Sequence, residues 1–164
     1  MATTNSETFQ LTTPNEREFV IERLLDAPRE LVWEVWTKPE HIARWWGCDQ
    51  STISVCESDL QPGGKWRNVL TMEDGKQCGF SGIYHEIDAP HRLVHTFMFE
   101  PMPEHLALVT VLFEERDGKT FVTETTRHAS TQVRDEHLQS GMETGLRQSL
   151  DRLEEYCASL ILVA

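Results

Sequence analysis

The chain has 164 residues, 27 of them acidic against 15 basic, for a net charge of −12. A length of this order suits one domain able to bury its own core without staples. The acidic balance argues against nucleic acid and against an anionic membrane surface, both of which need a basic face, so the charge reads as a solubility device. The four cysteines, Cys48, Cys56, Cys78 and Cys157, show no C-x-x-C spacing, and no apolar run approaches the length of a membrane span or signal segment. The chain therefore reads as a cytoplasmic protein with reduced thiols.

Residues 1–16 are polar and Thr-rich and are expected to form a flexible arm, although Phe9 and Leu11 could pair or pack. A domain is expected over residues 17–164. Glu18 to Leu25 alternates as a strand with Phe19, Ile21 and Arg23 on one face. Asp26-Ala27-Pro28 signals a helix start with Asp26 as N-cap candidate, and the helix that follows carries Leu31, Val32, Val35 and Trp36 at helical spacing. Pro39 ends it and opens a second short helix that stops at Gly47.

Strand character returns at Ser51 to Cys56. The turn Gln61-Pro62-Gly63-Gly64 leads into Lys65 to Met72, and the Asp74-Gly75 signal turns the chain into a return strand from Cys78 to Ile87. Arg92 to Phe99 follows Pro90, and Leu106 to Glu115 and Lys119 to His128 form a last hairpin around Asp117-Gly118. From Arg134 to about Leu162 the period becomes helical, with Leu138, Met142, Gly145, Leu146, Ser149, Leu153, Tyr156, Cys157 and Leu160 in one broad stripe. Strands in the middle with helices segregated at the ends argue an α+β fold.

Four strings occur in the right order for a known family. They are Asp26-Ala27-Pro28 with Val32-Trp33 and Trp45-Trp46-Gly47; Asp59 through Arg67 (DLQPGGKWR); Gly82 through Ile87 with Pro90 and Arg92-Leu93-Val94; and Arg134-Asp135, Gly141-Met142-Glu143, Gly145 and Ser149-x-Asp151-Arg152-Leu153. Over roughly Arg17 to Leu160 the chain resembles the START-like (SRPBCC, helix-grip) superfamily, in the branch similar to the C-terminal domain of the activator of the heat-shock-protein-90 ATPase. The resemblance implies a curved antiparallel sheet of about six strands, two short helices after the first strand, and one long C-terminal helix over a pocket. Asn68 and Glu124 depart from the apolar pattern expected of such a pocket.

Within that frame the candidate ligand-binding residues come from three places. Trp46 ends the second short helix, with either Trp45 or Trp46 facing the pocket. The strands offer Trp66, Asn68, Leu70, Phe80, Gly82, Tyr84, Phe97 and Glu124. The last helix offers Met142, Glu143, Gly145, Leu146 and Ser149, with Gly141 on the same stripe. Small residues on a helix stripe leave either close backbone packing or a void, and both stay open on the residues alone. Asn68, Tyr84, Glu86, Glu124 and Glu143 could orient a ligand, and a buried carboxyl among them could act as an acid or base. A bulge near Gly82 would turn some of them to solvent instead. Arg23 or Arg127, if inward, could pair with one of the acids. His85, His91 and His95 lack metal-ligand spacing, so no metal is expected, and no cofactor. There is no nucleophile motif and no phosphate loop, and hence no assigned catalytic residue.

Three functions compete. The expected one is a module binding a small hydrophobic or amphipathic molecule between sheet and helix. The alternatives are a cyclase- or hydrolase-like enzyme using pocket acids, and a chaperone-cofactor-like interaction domain, although the chain is expected to lack the separate N-terminal domain such an activator would use. Exposed helix faces and strand edges leave room for a homodimer.

Overall fold

Period-two alternation builds a sheet in which every neighbouring pair is antiparallel. The computed structural model describes residues 9–163. The strands are β1 (Phe9–Thr12), β2 (Glu18–Leu25), β3 (Ser51–Ser58), β4 (Lys65–Met72), β5 (Gln77–Asp88), β6 (Arg92–Phe99), β7 (Ala107–Arg116) and β8 (Lys119–Arg127). The helices are α1 (Arg29–Thr37), α2 (Pro39–Trp45), α3 (Thr131–Gln139) and α4 (Met142–Val163), with one 3₁₀ turn at Pro103–His105. The sheet order is β1-β2-β8-β7-β6-β5-β4-β3. The strand joining at the closing end of the chain, β8, thus lies between β2 and β7, and the long last helix crosses the face they share.

The fold is the expected α+β helix grip, with eight strands rather than about six. Seven of the eight match the runs read from the sequence, and the one beyond them, β1, lies within the arm expected to be flexible. Phe9 is 3% exposed, and β1 pairs with β2 from Phe9↔Arg23 to Thr12↔Val20. The rest of that arm, residues 1–8, lies outside the described residues.

The C-terminal helix is also interrupted. Ser130 caps α3, its Oγ accepting from the Val133 N–H at 3.2 Å, so the helix begins before Arg134. Gly141 then takes φ +88° between α3 and α4. A Cβ there would meet nothing within 4 Å, so the left-handed backbone, rather than close packing or a void, is what calls for glycine. At the other end, Asp26 does not cap α1. Pro28 holds the N-cap position without a side-chain bond, and the Asp26 N–H donates to Glu154 of α4 at 2.7 Å.

Two apolar clusters join helices to sheet. The larger unites Val32, Trp33 and Val35 of α1 with Val111 and Phe113 of β7 and Leu153 and Cys157 of α4. The smaller gathers Phe9, Phe19, Ile21 and Leu150, with Met142 and Leu146 packed against it. Arg23 is buried between them. Its Nη2 reaches Asp151 at 2.8 Å and Glu154 at 3.2 Å, tying β2 to α4. Arg127, by contrast, is exposed.

Candidate functional site: the inner face under the last helix

Strand alternation decides what faces inward. On β8, Thr120, Val122, Glu124 and Thr126 share a face, and Glu124 lies between Ile21 of β2 and Val111 of β7. On β6 the same face carries Leu93, His95, Phe97 and Phe99, with Leu93 opposite Val111 and His95 opposite Val109. On β4 and β5 it carries Trp66, Asn68, Phe80, Gly82 and Tyr84, and Asn68 pairs with Phe80.

Rings run continuously across this face. Phe80 lies 5.7 Å from Phe97 and 5.2 Å from Phe99, and Phe97 lies 6.1 Å from Trp66. His95 stands edge-on to Trp66 at 5.5 Å, and His137 of α3 stacks on Phe97 at 5.9 Å with 7° between planes. From α2, Trp46 meets Phe80 at 5.1 Å. Trp45 turns the other way into the core, its Nε1 donating to the Val35 carbonyl at 2.8 Å. Of the tryptophan pair, Trp46 is therefore the one on this face. Trp46, Phe80, Phe97 and Phe99 are all half-buried rather than sealed.

The polar groups on this face are of two kinds. Some are consumed by the fold. Tyr84 Oη bonds Ser58 Oγ at 2.8 Å, and burial raises its phenol despite that bond. Trp66 Nε1 donates to the Thr96 carbonyl at 3.2 Å. The others have open valences. Among the described residues nothing bonds the carboxyl of Glu124 or the amide of Asn68, and none of their polar atoms is among those sealed from solvent. Burial pushes the Glu124 carboxyl up to about 7, with no cation or donor among the described residues to offset it. His95 is pushed down to about 4 by burial, so it is neutral. Its Nδ1 donates to the Thr96 carbonyl at 2.9 Å, which leaves Nε2 as an acceptor. His137 is likewise lowered to about 4, by burial and then by its neighbours His128 and His105.

Several expected site residues serve other ends. Glu143 is exposed and pairs with Arg147 at 2.8 Å, one turn along α4, so it faces solvent and not the interior. Glu86 is turned outward by a bulge between Tyr84 and Glu86 and pairs with Arg92 at 2.7 Å. Gly82 leaves no void. A Cβ there would strike the Thr96 carbonyl and come within 2.6 Å of Trp66 Nε1, so the glycine lets the indole lie across β5. Ser149 is spent on the backbone of Gly47. Leu70 packs beside Gly47, and Met142 and Leu146 belong to the smaller core cluster. Gly145 does leave room, since its nearest foreign atom, Cys48 Cβ, is 4.0 Å from a built Cβ.

Three site residues escaped the sequence reading. Phe99 and His95 follow from the same alternation of β6 that points Phe97 inward. His137 carried no signal, because its position depends on how α3 folds back over the sheet. An open depression at Asn15, Glu18, Arg127 and Thr131 is polar and lies outside this face. Cys56 and Cys157 are both raised to about 11, chiefly by burial, so neither supplies a thiolate. No group of metal-ligating side chains occurs among the described residues.

Residues 26–158 match the family described as Activator of Hsp90 ATPase homolog 1-like protein. The chain belongs to this family. The Activator of Hsp90 ATPase homolog 1-like match covers every element from α1 to most of α4. The fold recurs in a crystal structure of a protein from Rhodobacter sphaeroides, with a TM-score of 0.86, 24% identity, and 93% of this chain aligned to 99% of that one. A protein from Nitrosomonas europaea aligns at a TM-score of 0.81 and 24% identity, over 93% and 100% of the two chains. A third, from Mycobacterium smegmatis, aligns at 0.77 and 22%, over 90% and 96%. Among curated proteins none matches significantly. No helix of the described residues is long and apolar enough to cross a membrane.

Proposed function

We propose that this protein binds a small amphipathic molecule on the inner face of the sheet, beneath α4. The observation that carries this reading is the pairing of open polar valences with unsealed aromatic rings on one inward face. Glu124 and Asn68 keep polar atoms without protein partners, although inward polar groups are ordinarily hydrogen-bonded. On the same face, beside Asn68 and further along the sheet from Glu124, Trp46, Phe80, Phe97 and Phe99 remain half-buried. A mostly apolar lining with a few oriented polar groups is what a small-molecule site requires.

The enzymatic reading needs at least two convergent polar groups deep in the pocket, and of its two acids Glu124 alone faces inward. Glu143 lies outside, Tyr84 is engaged by Ser58, and the inward groups with open valences besides Glu124 are a neutral imidazole and an amide. Binding without turnover is therefore the reading favoured. The family name suggests a chaperone partner, but no feature of the inner face bears on one.

Native mass spectrometry of protein purified from its own cells tests the proposal. A retained small molecule, lost on denaturation and reduced in a Phe97→Ala variant that still folds, is the expected result. Protein that stays unliganded and leaves its tryptophan fluorescence unchanged across a panel of amphiphiles would sink it.

A further inference from the structure

The inner face carries a charge imbalance that says what the bound molecule should bring. Glu124 is flanked by Ile21 and Val111, and the next inward residues on its own strand are Val122 and Thr126. The basic group on the inward face of β2, Arg23, reaches Asp151 and Glu154 on α4 through Nη2, while its Nε and Nη1 are buried without a hydrogen-bond partner and make no bond to Glu124. From β6, His95 presents a neutral ring. From α3 and the end of β8, His137 and His128 are held toward neutrality by burial and bond each other at 2.9 Å. The stretch of α4 packed on β2 contributes Leu146, Leu150 and Leu153. Among the described residues no cation pairs with the Glu124 carboxyl.

We propose, resting on the reading above, that the preferred ligand class is an amphipathic amine, its ammonium paired with Glu124 and its apolar part lying over the inward side chains of β7 and β6 toward Phe97. An ammonium supplies the missing counter-charge. An anionic amphiphile would set a second negative charge beside an uncompensated one. A neutral alcohol would gain only an uncharged hydrogen bond. The net charge of −12 also concentrates cations near the protein. Because burial holds the carboxyl near 7, taking up an ammonium draws it into its ionised form and expels its proton to solvent.

The test is calorimetric titration of the whole protein with octylamine, octanol and octanoate, comparing wild type with Glu124→Gln and with Glu143→Gln as a surface control. Octylamine should bind wild type about ten-fold or more tighter than octanol, and Glu124→Gln should erase that margin while leaving octanol unchanged. Run at about pH 7 in two buffers of different ionisation enthalpy, octylamine binding should release about half a proton from wild type and from Glu143→Gln, and none from Glu124→Gln. Octanol or octanoate binding as tightly as octylamine, or an octylamine margin that survives in Glu124→Gln, overturns the amine preference while leaving the binding site standing. Failure of all three to bind overturns the site and the preference together.

Discussion

Ser149 of α4 clasps Gly47 at both of its backbone groups: the hydroxyl donates to the Gly47 carbonyl at 2.6 Å and accepts from the Gly47 N–H at 3.0 Å. The same carbonyl takes a second bond from Arg152 Nη2 at 2.6 Å. Gly47 follows Trp46, so this clasp sets where the indole meets the sheet. It also explains why a small polar residue occupies a stripe that otherwise packs.

Ser149→Ala should therefore destabilise the fold and loosen Trp46. Arg152 still serves the carbonyl, but the Gly47 N–H is left unpaired in a buried place, which costs about 1–3 kcal/mol. Urea unfolding measures the loss. An unchanged midpoint would mean that water replaces the hydroxyl.

Gly82→Ala and Gly145→Ala should move stability in opposite directions. The first drives a methyl against the Thr96 backbone and the Trp66 ring, neither of which can yield cheaply. A loss of several kcal/mol, about the scale of overpacking or more, is expected, with altered tryptophan emission. The second places a methyl where only Cys48 Cβ lies at 4.0 Å, within a helix that prefers alanine. It should stabilise by about 0.5–1 kcal/mol. A destabilised Gly145→Ala would reveal a tighter helix seat than the geometry has.

Stability should depend on pH through opposing groups on the inner face. Glu124 rises from an ordinary 4.5 to about 7, so the folded state holds its proton more tightly than the unfolded chain. Its contribution is full below 4.5 and is lost as pH rises toward 7, to at most about 3 kcal/mol. His95 and His137 fall from 6.5 to about 4, so theirs is present above 6.5 and lost as pH falls toward 4. Urea midpoints compared between wild type and Glu124→Gln isolate the carboxyl: the variant should gain relative stability as pH climbs from 4.5 through 7. A difference that stays flat would place Glu124 in bulk water.

Glu143→Gln should do little. Its partner Arg147 lies one helical turn away on a solvated surface, and such pairs contribute about 0.3–0.5 kcal/mol. Thermal unfolding in low and high salt checks this. A larger, salt-insensitive loss would return Glu143 to the interior.

Local patterns along the chain set most of the elements, and through them the family. Alternation along Lys65–Met72 and Arg92–Phe99, turn residues at Gly63-Gly64 and Asp74-Gly75, and the helical stripe through Leu153 and Cys157 are local patterns with local causes. They were enough to place Phe19, Ile21 and Arg23 on one face and to anticipate a helix gripping a sheet. Tertiary structure decided what those patterns cannot carry. Whether Glu86 faced in or out hung on a bulge at Tyr84, because one extra residue reverses every later side chain. Glu143 and Ser149 differ by six positions on one helix, yet one meets solvent and the other a backbone loop from a distant part of the chain. Glu124 has the same alternation as its apolar neighbours, and only the assembled sheet shows that no cation among the described residues pairs with it. A single sequence records which face a residue shares, but whether that face is sealed, paired or left open depends on partners brought together from opposite ends of the chain.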